Sequence, residues 1–329
     1  MAKLRSLAAR RRPLHEAWLV LCLVVAGSAG HANELVIGKT SSALALPIEV
    51  AAAQGFFAVE GVQVRLAECS SGPRCLQTVF DRTTDLAGAT ELPVVFASFQ
   101  RSDYAIVATL ASSSSNIRFA ARKSAGIAGP ATLQGKRIGY IHGTSSHYFL
   151  DAYLLVHGLD PRRLELVPLQ ADAIVSAFEQ GKVDAFAGYQ RHVIPATRSV
   201  GTDATTFGDA RIYTESYGLV ARRDLLKTRG GDVVRVLKAL QRAQRFIHEQ
   251  PGRAMEILQK STGLPRNEVE RAFPDYSYRL GLEQSLVSTM EAEARWALRE
   301  GHVRGGTVPN YLGFVDFSSL RAAVPESAR

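Results

Sequence analysis

The sequence predicts an α/β protein of two domains, the second inserted into the first. Three observations predict it. Short apolar strand patterns alternate with helical ones over residues 34–110, which is how a parallel sheet with helices on both faces reads. The same strand–helix order starts again after a run of four serines at 112–115. Beyond Tyr217-Gly218-Leu219-Val220-Ala221 the pattern is almost purely helical, and late helices pack back on an earlier sheet. The chain has 329 residues, enough for two ordinary domains, and its 46% hydrophobic and 21% charged content is that of a globular protein.

The first 32 residues read as a leader. Lys3, Arg5, Arg10, Arg11 and Arg12 precede an apolar run at 17–26, and Gly30-His31-Ala32 sets small residues where a signal peptidase cuts, before Asn33. The run is shorter than the roughly 18 residues of a membrane anchor. Cys22 follows Leu21, where a lipoprotein wants a small residue. The net charge is +8, and loss of five Lys/Arg and one Glu with the leader leaves +4. That mild excess carries no basic stripe, so nucleic acid is not implied, while small anions remain compatible. Cys69 and Cys75 are left as an even pair in an oxidising compartment. They are expected to bridge, two free thiols being the alternative. No His or further Cys near them stands at metal-ligand spacing.

Each element then has its signal. Residues 35–38 form a buried strand, 39–43 a polar loop, and Pro47 suits the first turn of a helix that ends at Gly55. Strands follow at 62–66, 86–89 and 105–110, and helices at 74–80 and 92–99. The four serines mark an expected surface break. A strand at 116–121 opens the second set, with strands at 137–141, 164–169 and 183–187 and a helix at 172–180. Asp85-Leu86-Ala87-Gly88 and Asp184-Ala185-Phe186-Ala187-Gly188 echo one another, each turning a helix through Asp into a small-residue strand. Their glycines allow close approach of chain or ligand. In the helical third, Val233, Val236, Leu237, Leu240, Ala243 and Ile247 make a 3.6-residue stripe. Helices at 252–260, 266–272 and 282–299 follow, and residues 311–317 read as a docking segment.

Between strand 137–141 and the next helix stand Gly143, Thr144, Ser145 and Ser146. Hydroxyls at a helix start act as caps, and the same N–H groups with the helix dipole can hold an anion. Enzyme signatures are absent: no Gly-x-Ser-x-Gly elbow, no Gly-Lys-Ser/Thr phosphate loop, no His-Glu-x-x-His.

The chain resembles the substrate-binding proteins of ABC importers, in the branch for nitrate, aliphatic sulfonates, taurine and thiamine-pyrimidine precursors. Pro47-Ile48-Glu49-Val50-Ala51 followed by residues 55–62 is similar to the branch's opening. Residues 133–139, then 143–146, then Gly158-Leu159-Asp160-Pro161 and Gly181-Lys182-Val183-Asp184-Ala185 are similar to its second-lobe signature. The resemblance implies a two-lobed, type II venus-flytrap fold with two crossover strands, near 117–121 and 217–221. Lobe 1 is then 33–115 with 222–329, lobe 2 is 116–221, and 1–32 is the signal peptide. It implies a periplasmic monomer that captures a small organic anion, sulfonate or taurine-like, and delivers it to an inner-membrane permease with its ATPase, without cofactor, metal or catalysis. A binder of nitrate or a pyrimidine precursor, an enzyme of the thiamine-pyrimidine type and a sensor input are the alternatives. The enzyme type carries a cysteine-rich motif that this chain lacks.

Loops after strands should meet at one cleft. Lobe 1 offers Thr40, Ser41 and Ser42, then Ser70 and Ser71, then Thr90 and Glu91. Lobe 2 offers Thr144, Ser145, Ser146 and His147, then Tyr189, Gln190 and Arg191. Neutral hydroxyls suit an oxyanion that must be released, and Lys39 and Arg191 could add charge. Glu91 would suit a ligand amine, or else a helix start favouring an acid. Tyr148 and Tyr189 could pack on an apolar ligand body or serve the core. Where family members carry Trp, an acid and Pro, this chain has Gly188-Tyr189-Gln190-Arg191-His192.

Overall fold

The computed structural model describes residues 34–304 and 306–325. The expected signal peptide and Cys22 lie outside them. In chain order the molecule opens with β1 (Leu35–Thr40), α1 (Leu46–Ala53), α2 (Phe56–Val59), β2 (Val64–Cys69), α3 (Gly72–Phe80), β3 (Leu86–Thr90), α4 (Glu91–Ser98) and β4 (Tyr104–Ser113). Then come β5 (Ile117–Arg122), β6 (Arg137–Ile141), α5 (Ser145–Val156), β7 (Glu165–Leu169), α6 (Ile174–Glu179), β8 (Ala185–Tyr189), α7 (Gln190–Val200) and β9 (Ala204–Phe207). β10 (Glu215–Arg222), α8 (Arg223–Glu249), α9 (Pro251–Thr262), α10 (Arg266–Ala272), α11 (Gln284–Arg299) and α12 (Phe317–Ala323) complete it.

The strands form two five-stranded sheets, ordered β2-β1-β3-β10-β4 and β7-β6-β8-β5-β9. In each, three strands run parallel, and the strand beside them runs antiparallel: β10 against β3, β5 against β8. The expected all-parallel sheets are therefore mixed. A strand that enters from the other sheet owes its direction to the crossing, which alternation of strands and helices does not record.

The two sheets repeat one plan, and the echoed aspartates show why. Asp85 accepts a hydrogen bond from the Val36 amide (2.8 Å) and Asp184 one from the Arg137 amide (2.9 Å). Their own amides donate to the Val36 and Arg137 carbonyls. Each Asp thus pins the strand it precedes to the start of the lobe's first parallel strand.

The serine run is a crossing and not a surface break. Ser112 and Ser113 end β4, and the Ser113 hydroxyl donates to the Asp275 carbonyl while accepting from the Ser115 and Asn116 amides. That local bonding bends the chain out of the first sheet. The return runs through residues 208–214. Both strands named as crossovers, near 117–121 and 217–221, are instead inner strands of a sheet, and β10 lies in the first. The lobe boundary expected at 221/222 therefore falls inside β10, and the sheets divide before Glu215.

The helical stripe of α8 is buried along its length and packs with Leu35, Ile37, Ile48 and Val50 in one core. Burial of that many aliphatic side chains, each worth about 1.5–3 kcal/mol, holds the late helices on the first sheet. The docking segment does what its pattern suggests: Tyr311 is buried, with its hydroxyl 3.0 Å from that of Ser98, and Val315 bridges to Ile106 beside β4.

Candidate functional site

A cavity of about 30 Å³ lies between the two sheets, lined by Thr40, Ser42, Leu44, Gly72, Thr90, Asn116, Tyr189, Arg191 and Tyr217. One water needs roughly 10–15 Å³, so the enclosed space suits a small polar head group. Four helical starts meet there. Ser42 precedes the short turn that leads into α1, Gly72 opens α3, Thr90 precedes α4 and Tyr189 precedes α7. At none of these four starts does the side chain of the preceding residue make a capping hydrogen bond among the described residues. Their first-turn N–H groups and the positive ends of their dipoles favour negative charge.

Two side chains sharpen that preference. Arg191 lies at the start of α7, where its Nη2 donates to the Ser70 carbonyl (3.1 Å) and its guanidinium stands 5.7 Å from the Tyr189 ring centroid. It has no carboxylate partner among the described residues, and burial lowers its pKa. Tyr217 reaches the cavity from β10, opposite Thr90 in the register, and among the described residues its buried hydroxyl makes no hydrogen bond of ordinary geometry, with Thr40 as its polar neighbour. Gly88 makes the room: a Cβ there would lie 2.0 Å from the Tyr217 hydroxyl.

Of the residues expected at the cleft, Thr40, Ser42, Thr90, Tyr189 and Arg191 line this cavity. The others go elsewhere. Ser41 donates to the Ser261 carbonyl at the end of α9, and Ser70 offers only its carbonyl, to Arg191. Ser71 precedes α3 without lining the cavity. Gln190 donates to Asp275 (2.9 Å). Lys39 is buried in ion pairs with Glu49 and Glu68, so it carries no free charge to a ligand. His147 stacks on Tyr140 and packs against Trp296 and His302, away from this cavity. Tyr148 packs edge-on against Tyr213 and Trp296.

The turn at 143–146 has a different job from a cap. The Thr144 hydroxyl donates back to the Ile141 carbonyl and lies 2.9 Å from Ser146 Oγ, while Ser145 donates to Thr90 across the two sheets (2.8 Å). The turn therefore supports the cavity wall from the second lobe. Cys69 and Cys75 are joined by a disulfide that ties the end of β2 to the first turn of α3, beside Gly72.

Leu44, Gly72, Asn116 and Tyr217 line the cavity without having been expected. Gly72 and Asn116 each directly follow a serine cluster that was in view. Tyr217 left no local signal, because its place depends on β10 pairing with β3.

Glu91 does not face the cavity. It is buried, accepts from the Tyr213 hydroxyl (2.6 Å) and the Ser216 amide (2.9 Å), and burial pushes its pKa up to about 7. Tyr213 also lies 2.9 Å from buried Glu293. One phenol proton serves one carboxylate, so the other acid must bring its own proton to this contact. Burial likewise raises Glu215 to about 8 against the pull of the Asn116 amide, and raises Glu293, with the Glu91 charge adding to it.

Two α/β lobes meeting over a small cavity have the architecture of periplasmic binding proteins. The chain belongs to the NMT1/THI5-like family, whose pattern it matches over residues 44–254. It is 27% identical over 206 residues to an Escherichia coli (strain K12) protein named for binding aliphatic sulfonates, a match covering 62% of this chain and 63% of that one. It is 28% identical over 161 residues to the taurine-binding periplasmic protein of the same organism, about half of each chain. Its fold matches the alkanesulfonate-binding protein SsuA from Xanthomonas axonopodis pv. citri, bound to MOPS, with a TM-score of 0.74 at 20% identity over 87% of this chain and 98% of that one. The desulfurization enzyme DSZB shares the fold at a TM-score of 0.66 and 16% identity, over 89% and 99% of the chains.

Proposed function

We propose that this protein is the periplasmic solute-binding component of an ABC importer and that it captures a small organic anion, an aliphatic sulfonate foremost. The observation that carries this is Arg191, which enters the cavity without a carboxylate partner among the described residues, beside uncapped helix starts and the Thr40, Ser42, Thr90 and Tyr217 hydroxyls. Fixed dipoles and hydroxyls match the three oxygens of a sulfonate, and one guanidinium balances its charge. Glu91 is held by Tyr213 and Ser216, which favours a ligand without an amine over taurine. The disulfide at Cys69–Cys75 takes up both cysteines of the described residues and favours binding over thiol chemistry. Lobe closure would then be what a permease reads.

The test is a thermal-shift and calorimetric panel of alkanesulfonates, taurine, nitrate and a thiamine-type pyrimidine on protein without residues 1–32. Alkanesulfonates are expected to raise the melting temperature most. Arg191→Ala should weaken that binding by at least ~30-fold, about 2 kcal/mol, as for one partner of a desolvated charged contact. A shift with the pyrimidine alone, or turnover of any of these compounds, would overturn the assignment.

A further inference from the structure

We propose that His147, Asp151 and His302 form a divalent transition-metal site, of the zinc type, that joins the two lobes away from the anion cavity. One donor atom from each of the three lies within 4.8 Å of the other two. The spacing has a simple origin. His147 and Asp151 stand four residues apart on α5, which puts both on one helix face. His302 comes from the turn after α11, where its amide donates to the Ala297 carbonyl and fixes the backbone. α11 packs on α4 beside the first sheet, and α5 follows β6 of the second. The donors therefore come from both lobes.

The present partners leave the two imidazoles unsatisfied. His147 is 3% exposed, and among the described residues neither its Nδ1 nor the buried His302 Nε2 has a hydrogen-bond partner. The two rings lie 4.4 Å apart by centroid, too close for a water layer between them. His302 Nε2 is 3.8 Å from Asp151 Oδ2, beyond hydrogen-bond length. Buried nitrogens without partners are costly, and a shared cation is the partner that would satisfy several at once.

The surroundings fit a metal. The Trp296 indole N–H donates to Asp151 Oδ2 (3.0 Å) and orients the carboxylate as outer-shell donors do. Two imidazoles and a carboxylate are a borderline donor set that suits zinc and its neighbours better than calcium or magnesium. Bonds of roughly 2.0–2.2 Å set tetrahedral donors about 3.3–3.6 Å apart, so the widest pair must close by no more than about 1.5 Å. A cavity of about 720 Å³, lined by Tyr140, Leu155, Trp296 and Arg299 among others, borders the three residues and gives an ion and a fourth, water ligand access. The nearby cations are matched: Arg295 pairs with Glu291 and Arg299 with Glu300.

The test uses untagged protein stripped with a chelator and titrated with Co²⁺ and Zn²⁺. Wild type should bind one equivalent, give the visible absorption of tetrahedral Co²⁺ and lose it to Zn²⁺. His302→Ala lies in a turn and should keep the far-UV spectrum while losing affinity by more than ~10-fold; Asp151→Asn should do the same. Absence of the cobalt band in wild type, or its persistence at full affinity in both variants, would overturn the proposal. Neither readout involves the anion, so this site stands or falls separately from the proposed cargo.

Discussion

Tyr217 lines the cavity with a buried hydroxyl that, among the described residues, makes no hydrogen bond of ordinary geometry and has Thr40 beside it. Its removal should therefore separate binding from stability. Tyr217→Phe is expected to leave the unliganded melting point unchanged or slightly raised, because a buried hydroxyl without a well-formed hydrogen bond costs free energy. The same change should weaken binding of the proposed sulfonate cargo by ~10-fold, about 1.4 kcal/mol, the size of one hydrogen bond to a charged group. Calorimetry beside thermal melting checks both signs, and a lower melting point with unchanged affinity would place the hydroxyl in the scaffold. Residue types told part of this in advance. Thr40, Ser42, Thr90, Tyr189 and Arg191 stand directly after or at the ends of strands, where open α/β sheets present their ligands. Ser41 and Gln190 occupy equivalent positions but turn away to Ser261 and Asp275, partners more than 80 residues distant in sequence, which no local pattern encodes.

At the level of elements, strand and helix order was legible from apolar period, and the α8 stripe fell on buried positions because a 3.6-residue period must face something. Strand direction was not. β5 and β10 read as ordinary buried strands, and what sets them antiparallel is the passage of the chain between lobes. The turn at the start of α5 shows the same limit. Three hydroxyls predicted an anion cap, whereas Ser145 bonds across to Thr90 at the start of α4. Ser145→Ala should then act on the meeting of lobes, weakening ligand binding about 3–10-fold, the ~0.5–1.5 kcal/mol of one neutral hydrogen bond, with the urea midpoint nearly unchanged. Ser146→Ala, which loses only a contact with Thr144 inside the same turn, should bind as wild type. Equal losses from both substitutions in a titration would return the turn to direct ligand contact.

For the molecule as a whole, the buried acids Glu91, Glu215 and Glu293 gather where the chain crosses between sheets, linked through Tyr213 on the returning segment and Asn116 on the outgoing one. Burial raises Glu91 to about 7 and Glu215 to about 8, and it raises Glu293 as well, whereas in the unfolded chain each returns to its ordinary value of 4.5. Between those limits the folded protein holds more protons than the unfolded one. Stability supplied by these groups is complete below about pH 4.5 and is lost as pH rises through 7 to 8. Arg191, the cation that acts on Glu215, offsets part of the rise, and Glu91 adds to it. His142, His147 and His192, whose pKa values burial lowers, act with the opposite sign below about pH 6.5, so the acids are read from the difference in urea-unfolding free energy between wild type and a variant over pH 5.5 to 8. Glu215→Gln, which keeps an acceptor for the Asn116 amide but cannot ionise, should lessen the loss of stability over that range by on the order of 2 kcal/mol, since each unit of pKa difference is worth about 1.4 kcal/mol. Parallel pH profiles for wild type and variant would mean that Glu215 ionises as readily in the folded protein as in the unfolded chain, and burial would then not be what holds its proton.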